Sequence, residues 1–248
     1  MHVLALSTST EMQSLWLGDG DGVGTSQVER VARGQGRALT AAIWELCAGR
    51  GIGVADLELI VADVGPGSFT GLRLGLATAR AIAWAHNVPT APVGSLVAMV
   101  AAGRGAVTAS PGRAGLAALP SRAGVSYLGL DDGAGRWHED AVADGQVTAW
   151  LRERLPAGTE LLTIAAAAAA ADRLAAAVSA GLEIAAEVRP VDVGGPSAGW
   201  IALVALSRPD RAEANDTTEL VPRYLSVSAA ERHLDAAIDQ RALTAERR

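Results

Sequence analysis

The densest run of chemistry-bearing residue types extends from Val64 to Ala83, V-G-P-G-S-F-T-G-L-R-L-G-L-A-T-A-R-A-I-A. Three glycines and a proline fall within seven residues, between the apolar run Leu57–Val64 and a long helical pattern. A side-chain-poor turn that feeds a helix N-terminus brings backbone amides close to a phosphate or to another protein surface. Other chemistries find less support. All 21 cationic residues are arginine, so no Walker-type, Schiff-base or general-base lysine exists. Ser68 follows G-P-G, but the string is not G-x-S-x-G and no histidine stands as its partner, so Ser68 reads as a helix N-cap. Gly65, Gly67 and Gly71 are spaced G-x-G-x-x-x-G, one residue off the dinucleotide fingerprint. His2, His86, His138 and His233 are scattered, with no pair at i, i+4, and Cys47 is the single cysteine, which argues against a metal site. Cys47 lies in an apolar helical pattern and reads as an inert core thiol in a reducing compartment.

The elements that must position that turn are legible in the pattern. His2–Leu6, Met12–Leu17 and Thr25–Val31 read as three short strands, and Gly18-Asp19-Gly20-Asp21-Gly22 closes a hairpin between the latter two. Leu39, Ile43, Leu46 and Cys47 keep helical spacing from Arg37 to Arg50. Leu57–Val64 is a strand buried on both faces, followed by a helix from Ser68 to His86, a strand at Thr90–Val93 and a helix at Leu96–Ala102. The order β-β-β-α-β-α-β-α is that of a ribonuclease-H-like lobe, the α/β unit duplicated in actin-like and Hsp70-like ATPases. Gly103–Ala123, rich in Gly, Pro, Ser and Arg, reads as the boundary of this lobe (residues 1–103). Residues 104–228 read as a second, reduced lobe with strands at Val125–Leu130, Leu161–Ile164 and Glu219–Leu225. The seven alanines to Ala171 are expected to be helical, as is Trp200–Leu206, and residues 229–248 form a charged tail. At 248 residues and a net charge of −6, the chain is large enough for such a core and offers no electrostatic pull toward nucleic acid. The start lacks a basic segment and already reads as a strand, which predicts a soluble, cytoplasmic protein without a membrane span.

The helix after the turn makes the strongest physical case. From Leu74 to Ala85 its only polar residues are Thr78 and Arg80, and a helix apolar nearly all round must be covered on more than one side. Gly71 and Gly75, four apart, permit close approach of a second helix, and Trp44 stands about 140° from Leu39, off the apolar stripe of its own helix. The expected partner surface comprises Leu39, Ile43, Trp44, Leu72, Arg73, Gly75, Leu76, Ala79 and Arg80. The competing reading buries both helices inside the monomer. On the partner reading, Leu76→Glu breaks a complex and leaves the monomer folded.

G-P-G-S-F-T-G-L-R at Gly65–Arg73, following an apolar strand and leading into an alanine-rich helix, resembles the signature of the bacterial TsaB (YeaZ) family. L-A-L-S-T-S-T near the start, Arg122-Ala123-Gly124-Val125-Ser126-Tyr127 and Pro222-Arg223-Tyr224-Leu225 are similar to further elements of that family. The resemblance implies an ASKHA fold (the actin/Hsp70 superfamily) with two lobes and no catalysis of its own. It implies a partner subunit of the paralogous TsaD, which with the ATPase TsaE makes the N6-threonylcarbamoyl group on adenosine 37 of tRNAs reading ANN codons. It further implies a homodimer when the chain is alone, with tRNA contacted only indirectly. In actin-like ATPases the first hairpin supplies an aspartate to the phosphates and their metal; here Ser7 stands there, and Ser7, Thr8 and Ser9 are the cofactor-binding candidates. No cofactor is expected, with ATP or ADP at a subunit boundary the one exception left open. The alternative is an ASKHA-family ATPase or small-molecule kinase with its own nucleotide site; a peptidase lacks a histidine pair.

Overall fold

The computed structural model describes residues 1–30, 35–105, 112–182, 186–208 and 219–225. The expected tail at 229–248 lies outside them. The first sheet contains β1 (His2–Ser7), β2 (Met12–Asp19), β3 (Gly24–Arg30), β4 (Leu59–Gly65) and β5 (Thr90–Gly94), in the order β3-β2-β1-β4-β5. β1, β2 and β3 form an antiparallel meander, and β4 and β5 add in parallel. Every residue of β4 is buried, because helices cover both faces of the sheet. Alternate residues serve opposite layers. Leu4, Leu6, Ile60 and Ala62 pack under α1 (Gln35–Gly49) and α2 (Phe69–His86). Val3, Ala5, Leu59 and Val61 pack against α6 (Ala198–Leu206). That two-residue alternation, with both sets apolar, is why the strand reads as a continuous hydrophobic run.

The second sheet repeats the plan. It contains β6 (Arg113–Arg122), β7 (Val125–Asp131), β8 (Trp137–Ala143), β9 (Leu161–Ala166) and β10 (Glu187–Asp192), in the order β10-β9-β6-β7-β8. Again three antiparallel strands are followed by two parallel ones. The architecture is the duplicated α/β fold of the ASKHA class. The second lobe is not reduced in strands, contrary to expectation. What has shrunk is its first helix: α4 (Val147–Arg152) has 6 residues where α1 has 15.

Several local expectations change for physical reasons. The segment Gly103–Ala123 is not a plain boundary loop, since it contains β6. Pro120 is tolerated there because β6 pairs with β9 only over Arg113–Ala117, and the β6–β7 register shifts between Pro120 and Arg122. β8 and β10 carry too many charges to read as strands, and Pro190 is permitted because β10 is an edge. Of the seven alanines, Ala165 and Ala166 finish β9, and α5 (Ala168–Gly181) begins after them; buried sheet pairing overrides helix propensity there. Glu219–Leu225 is not a strand. It is an extended strap held to β4 through Arg223 N–H donating to the Val64 carbonyl at 2.7 Å.

Chain order and lobes do not coincide. α3 (Ser95–Gly105) leaves the first sheet and packs on β6, β7 and β9, while α6 returns from the second half to cover the first sheet. Arg104 at the end of α3 bonds Asp131 on β7 at 2.7 Å. No described helix is long and apolar enough to cross a membrane.

Candidate functional site

The G-P-G turn launches α2 from the end of β4. Gly65 has φ +99, a left-handed conformation that only glycine adopts freely, and a Cβ there would meet Leu72 Cδ1 at 2.8 Å. Ser68 caps α2, its hydroxyl accepting from Gly71 N–H at 3.3 Å. The other glycines are explained by the β1–β2 turn, which lies against the helix. A Cβ on Gly67 would stand 2.4 Å from the Ser9 carbonyl, one on Gly71 2.0 Å from the Thr8 carbonyl, and one on Gly75 2.3 Å from Thr8 Oγ1. Ser68 N–H donates to the Ser9 carbonyl at 2.6 Å, and Thr8 Oγ1 donates to the Gly71 carbonyl at 2.7 Å. The close approach that Gly71 and Gly75 permit is therefore to this chain's own hairpin, not to a partner's helix. The space a phosphate would need at this turn holds Thr8 and Ser9.

The three cofactor candidates face inward. Ser7, Thr8 and Ser9 are all buried. Ser7 Oγ donates to Asp63 Oδ2 at 2.6 Å and lies 3.1 Å from Ser9 Oγ. Asp63 Oδ1 accepts from Ser95 Oγ at 2.6 Å and from Gly65 N–H at 2.9 Å. This carboxyl was missed from sequence; the available signal was one acid inside an otherwise apolar strand. It ties the end of β4 to the first hairpin and to the first residue of α3. Burial pushes its pKa above the usual aspartate range, while the hydroxyls of Ser7, Ser9 and Ser95 and the Gly65 amide pull it down. Cys47 is buried as expected, and burial raises its thiol pKa. Among the described residues, no group of three or more His, Cys, Asp or Glu side chains could hold a metal ion. A cavity of about 470 Å³ opens where α3, β10 and α6 meet; among the described residues its walls include Asp192, Ser197 and Trp200 and no cationic side chain, a poor match to a polyphosphate.

The expected partner surface divides sharply. Leu39, Ile43, Leu72 and Ala79 are 0% exposed and Leu76 2%, and Gly75 is buried beneath Thr8. These six belong to the monomer, because no partner reaches them without opening the core. Leu76→Glu would place an unpaired carboxylate in that core, so it cannot serve as a surface test. Trp44, Arg73 and Arg80 remain toward the outside. The outer faces carry Trp84, which the expectation missed, at 85% exposed, and Trp44, which it named, at 60%. Arg73, Ala77, Ala81 and Trp84 are all exposed and recur at helical spacing on α2, as Ala41, Trp44 and Ala48 do on α1. Arg73 stacks 3.8 Å over the Phe69 ring and donates from Nε to the Tyr224 hydroxyl at 3.2 Å. Arg80 is half-buried, and its Nε has no hydrogen-bond partner.

Residues 26–121 match the family described as TsaD: tRNA N6-adenosine threonylcarbamoyltransferase. The tRNA threonylcarbamoyladenosine biosynthesis protein TsaB of Haemophilus influenzae is 34% identical over 102 residues, covering 41% of this chain and 43% of that protein. Its Bacillus subtilis counterpart is 31% identical over 104 residues, covering 42% and 45%. The solved structure of YeaZ from Pseudomonas aeruginosa superposes with a TM-score of 0.68 at 22% identity, covering 90% of this chain and 99% of that one. The chain is similar to TsaB proteins over about two fifths of its length and shares the fold of YeaZ. The chain spans less than half the length of these curated relatives, and the family match at 26–121 contains β4, the G-P-G turn and both helices of the exposed face.

Proposed function

We propose that this protein is a non-catalytic partner subunit of a TsaD-type paralogue in the threonylcarbamoylation of tRNA adenosine 37. The observation that carries the reading is the outer face of α1 and α2, where two tryptophans stand 60% and 85% exposed among alanines. Large aromatics in solvent among small residues are what a helical docking surface presents before its partner arrives, and they dominate binding when covered. Similarity to TsaB proteins and the match to the TsaD family supply the kind of partner. The surface is read as Trp44, Trp84, Arg73 and Arg80, with alanines allowing close helix approach. In the absence of the paralogue a second copy occupies the same face. A TsaE-like ATPase joins through the paralogue, tRNA is held by the other subunits, and the chain by itself carries no cofactor, any ATP or ADP lying at a subunit boundary.

Trp84→Glu tests this. Trp84 makes little use of the monomer, so the variant keeps the wild-type melting temperature within about 1–2 °C while losing co-purification with the TsaD-type protein. Cells carrying only the variant lose threonylcarbamoyladenosine from bulk tRNA, measured by mass spectrometry of nucleosides. Undiminished modification, or undiminished co-purification, overturns the reading.

A further inference from the structure

The strap at Leu220–Leu225 crosses between the lobes, and its contacts have a definite division of labour. Leu220 is fully buried in the core beneath α1 and α2, with Leu39, Ile43 and Leu76. Leu225 packs at the other end against the cluster that joins α3 (Leu96, Met99) to the second sheet (Leu119, Tyr127). Between these anchors, Arg223 N–H donates to the last carbonyl before Gly65, and the absent Cβ of Gly65 leaves room for the Arg223 carbonyl, which would stand 3.1 Å from it. The Arg223 guanidinium then pairs with Glu139 on β8. Glu139 has a side chain only 13% exposed, and its other oxygen accepts from Trp137 Nε1 at 2.9 Å. Both carboxylate oxygens are thus engaged in a partly desolvated site, where losing the cation leaves a charge without compensation. The neighbouring Tyr224 lies on Phe69 with ring centroids 5.0 Å apart and bonds Arg73.

We propose that Leu220–Leu225 is a latch: the Arg223–Glu139 pair closes it on the second lobe, and the closed strap fixes the angle between lobes and holds the G-P-G turn and first turn of α2. A change in lobe angle is therefore transmitted to the head of α2. The inference stands on contacts within one chain and does not need the partner reading.

The test is amide hydrogen exchange on the full chain alone, followed by mass spectrometry of the peptides covering 64–72 and 219–225. Arg223→Gln and Glu139→Gln each raise exchange in both peptides by about tenfold or more, while β1 and β2 keep wild-type rates. Combining them gives no more than either alone, since both remove one interaction. Tyr224→Phe, which keeps the ring on Phe69 and drops the bond to Arg73, leaves peptide 219–225 at its wild-type rate. Wild-type exchange in the single variants, or effects that simply add in the double variant, overturns the latch. Because Trp84→Glu is read by partner capture and the latch by exchange of the isolated chain, either can fail without the other.

Discussion

Asp63 shows how a single buried acid sets a pH response. Its folded-state pKa lies above the ordinary aspartate value, raised chiefly by desolvation. As pH rises through about 3.9, the unfolded chain loses this proton while the native protein keeps it. Stability is therefore fully present below that pH and falls until the folded-state pKa is passed. Asp63→Asn keeps the shape, with its amide donating to Ser7 Oγ and its oxygen accepting from Ser95 and Gly65. Thermal melts across pH should show the variant gaining on wild type as pH rises above about 4; parallel profiles would refute the assignment. Gly71 gives a complementary case. Helix propensity favours Gly71→Ala by about 1 kcal/mol, yet a Cβ 2.0 Å from the Thr8 carbonyl forces the hairpin and helix apart. A net loss of about 1–3 kcal/mol in denaturant titration is expected. Gly49→Ala, with nothing within 4 Å, should be neutral or stabilising.

At the scale of elements, α2 has two functions on two faces. Its inner face is core, and its N-terminal inner edge is trimmed to glycine so that the first hairpin can lie on it. Its outer face carries Ala77, Ala81 and Trp84 into solvent. Sequence periodicity saw a helix apolar nearly all round and could not assign which side met the sheet. The aliphatic residues expected as partner contacts, Leu39, Ile43, Leu72, Leu76 and Ala79, are consequently ones the monomer buries, while Trp44 and Arg73 of the same expectation are exposed. Exposed tryptophan among alanines is the better signal for a docking face, since a monomer gains nothing by leaving it uncovered. The contrast is experimental: Trp84→Glu acts on binding and spares folding.

At the scale of the whole molecule, the two lobes are interleaved rather than strung in series. α3 covers the second sheet, α6 covers the first, and the strap of 219–225 touches both. Such cross-covering couples their stabilities. Ile201, fully buried between α6 and the first sheet, is the place to test it. Ile201→Ala should cost about 2–5 kcal/mol, and exchange protection in β6 and β9 of the other lobe should fall with that of β1 and β4. Loss confined to the first sheet would show that the lobes fold independently.

The sequence alone determined the first sheet almost strand for strand, the capped helix after G-P-G, the buried thiol and the resemblance to TsaB proteins. These features are local: period-two and period-3.6 patterns, turn residues and a distinctive string each lie within a few neighbouring residues. Tertiary structure decided what those patterns face. That Asp63 meets Ser7 and Ser95, that Gly67, Gly71 and Gly75 make room for Ser9 and Thr8, and that Arg223 reaches Glu139 all depend on contacts between residues 32 to 84 positions apart. The charged edge strands β8 and β10 were illegible for the same reason: they are strands because a neighbouring strand offers them hydrogen bonds, and no pattern within their own residues records that neighbour.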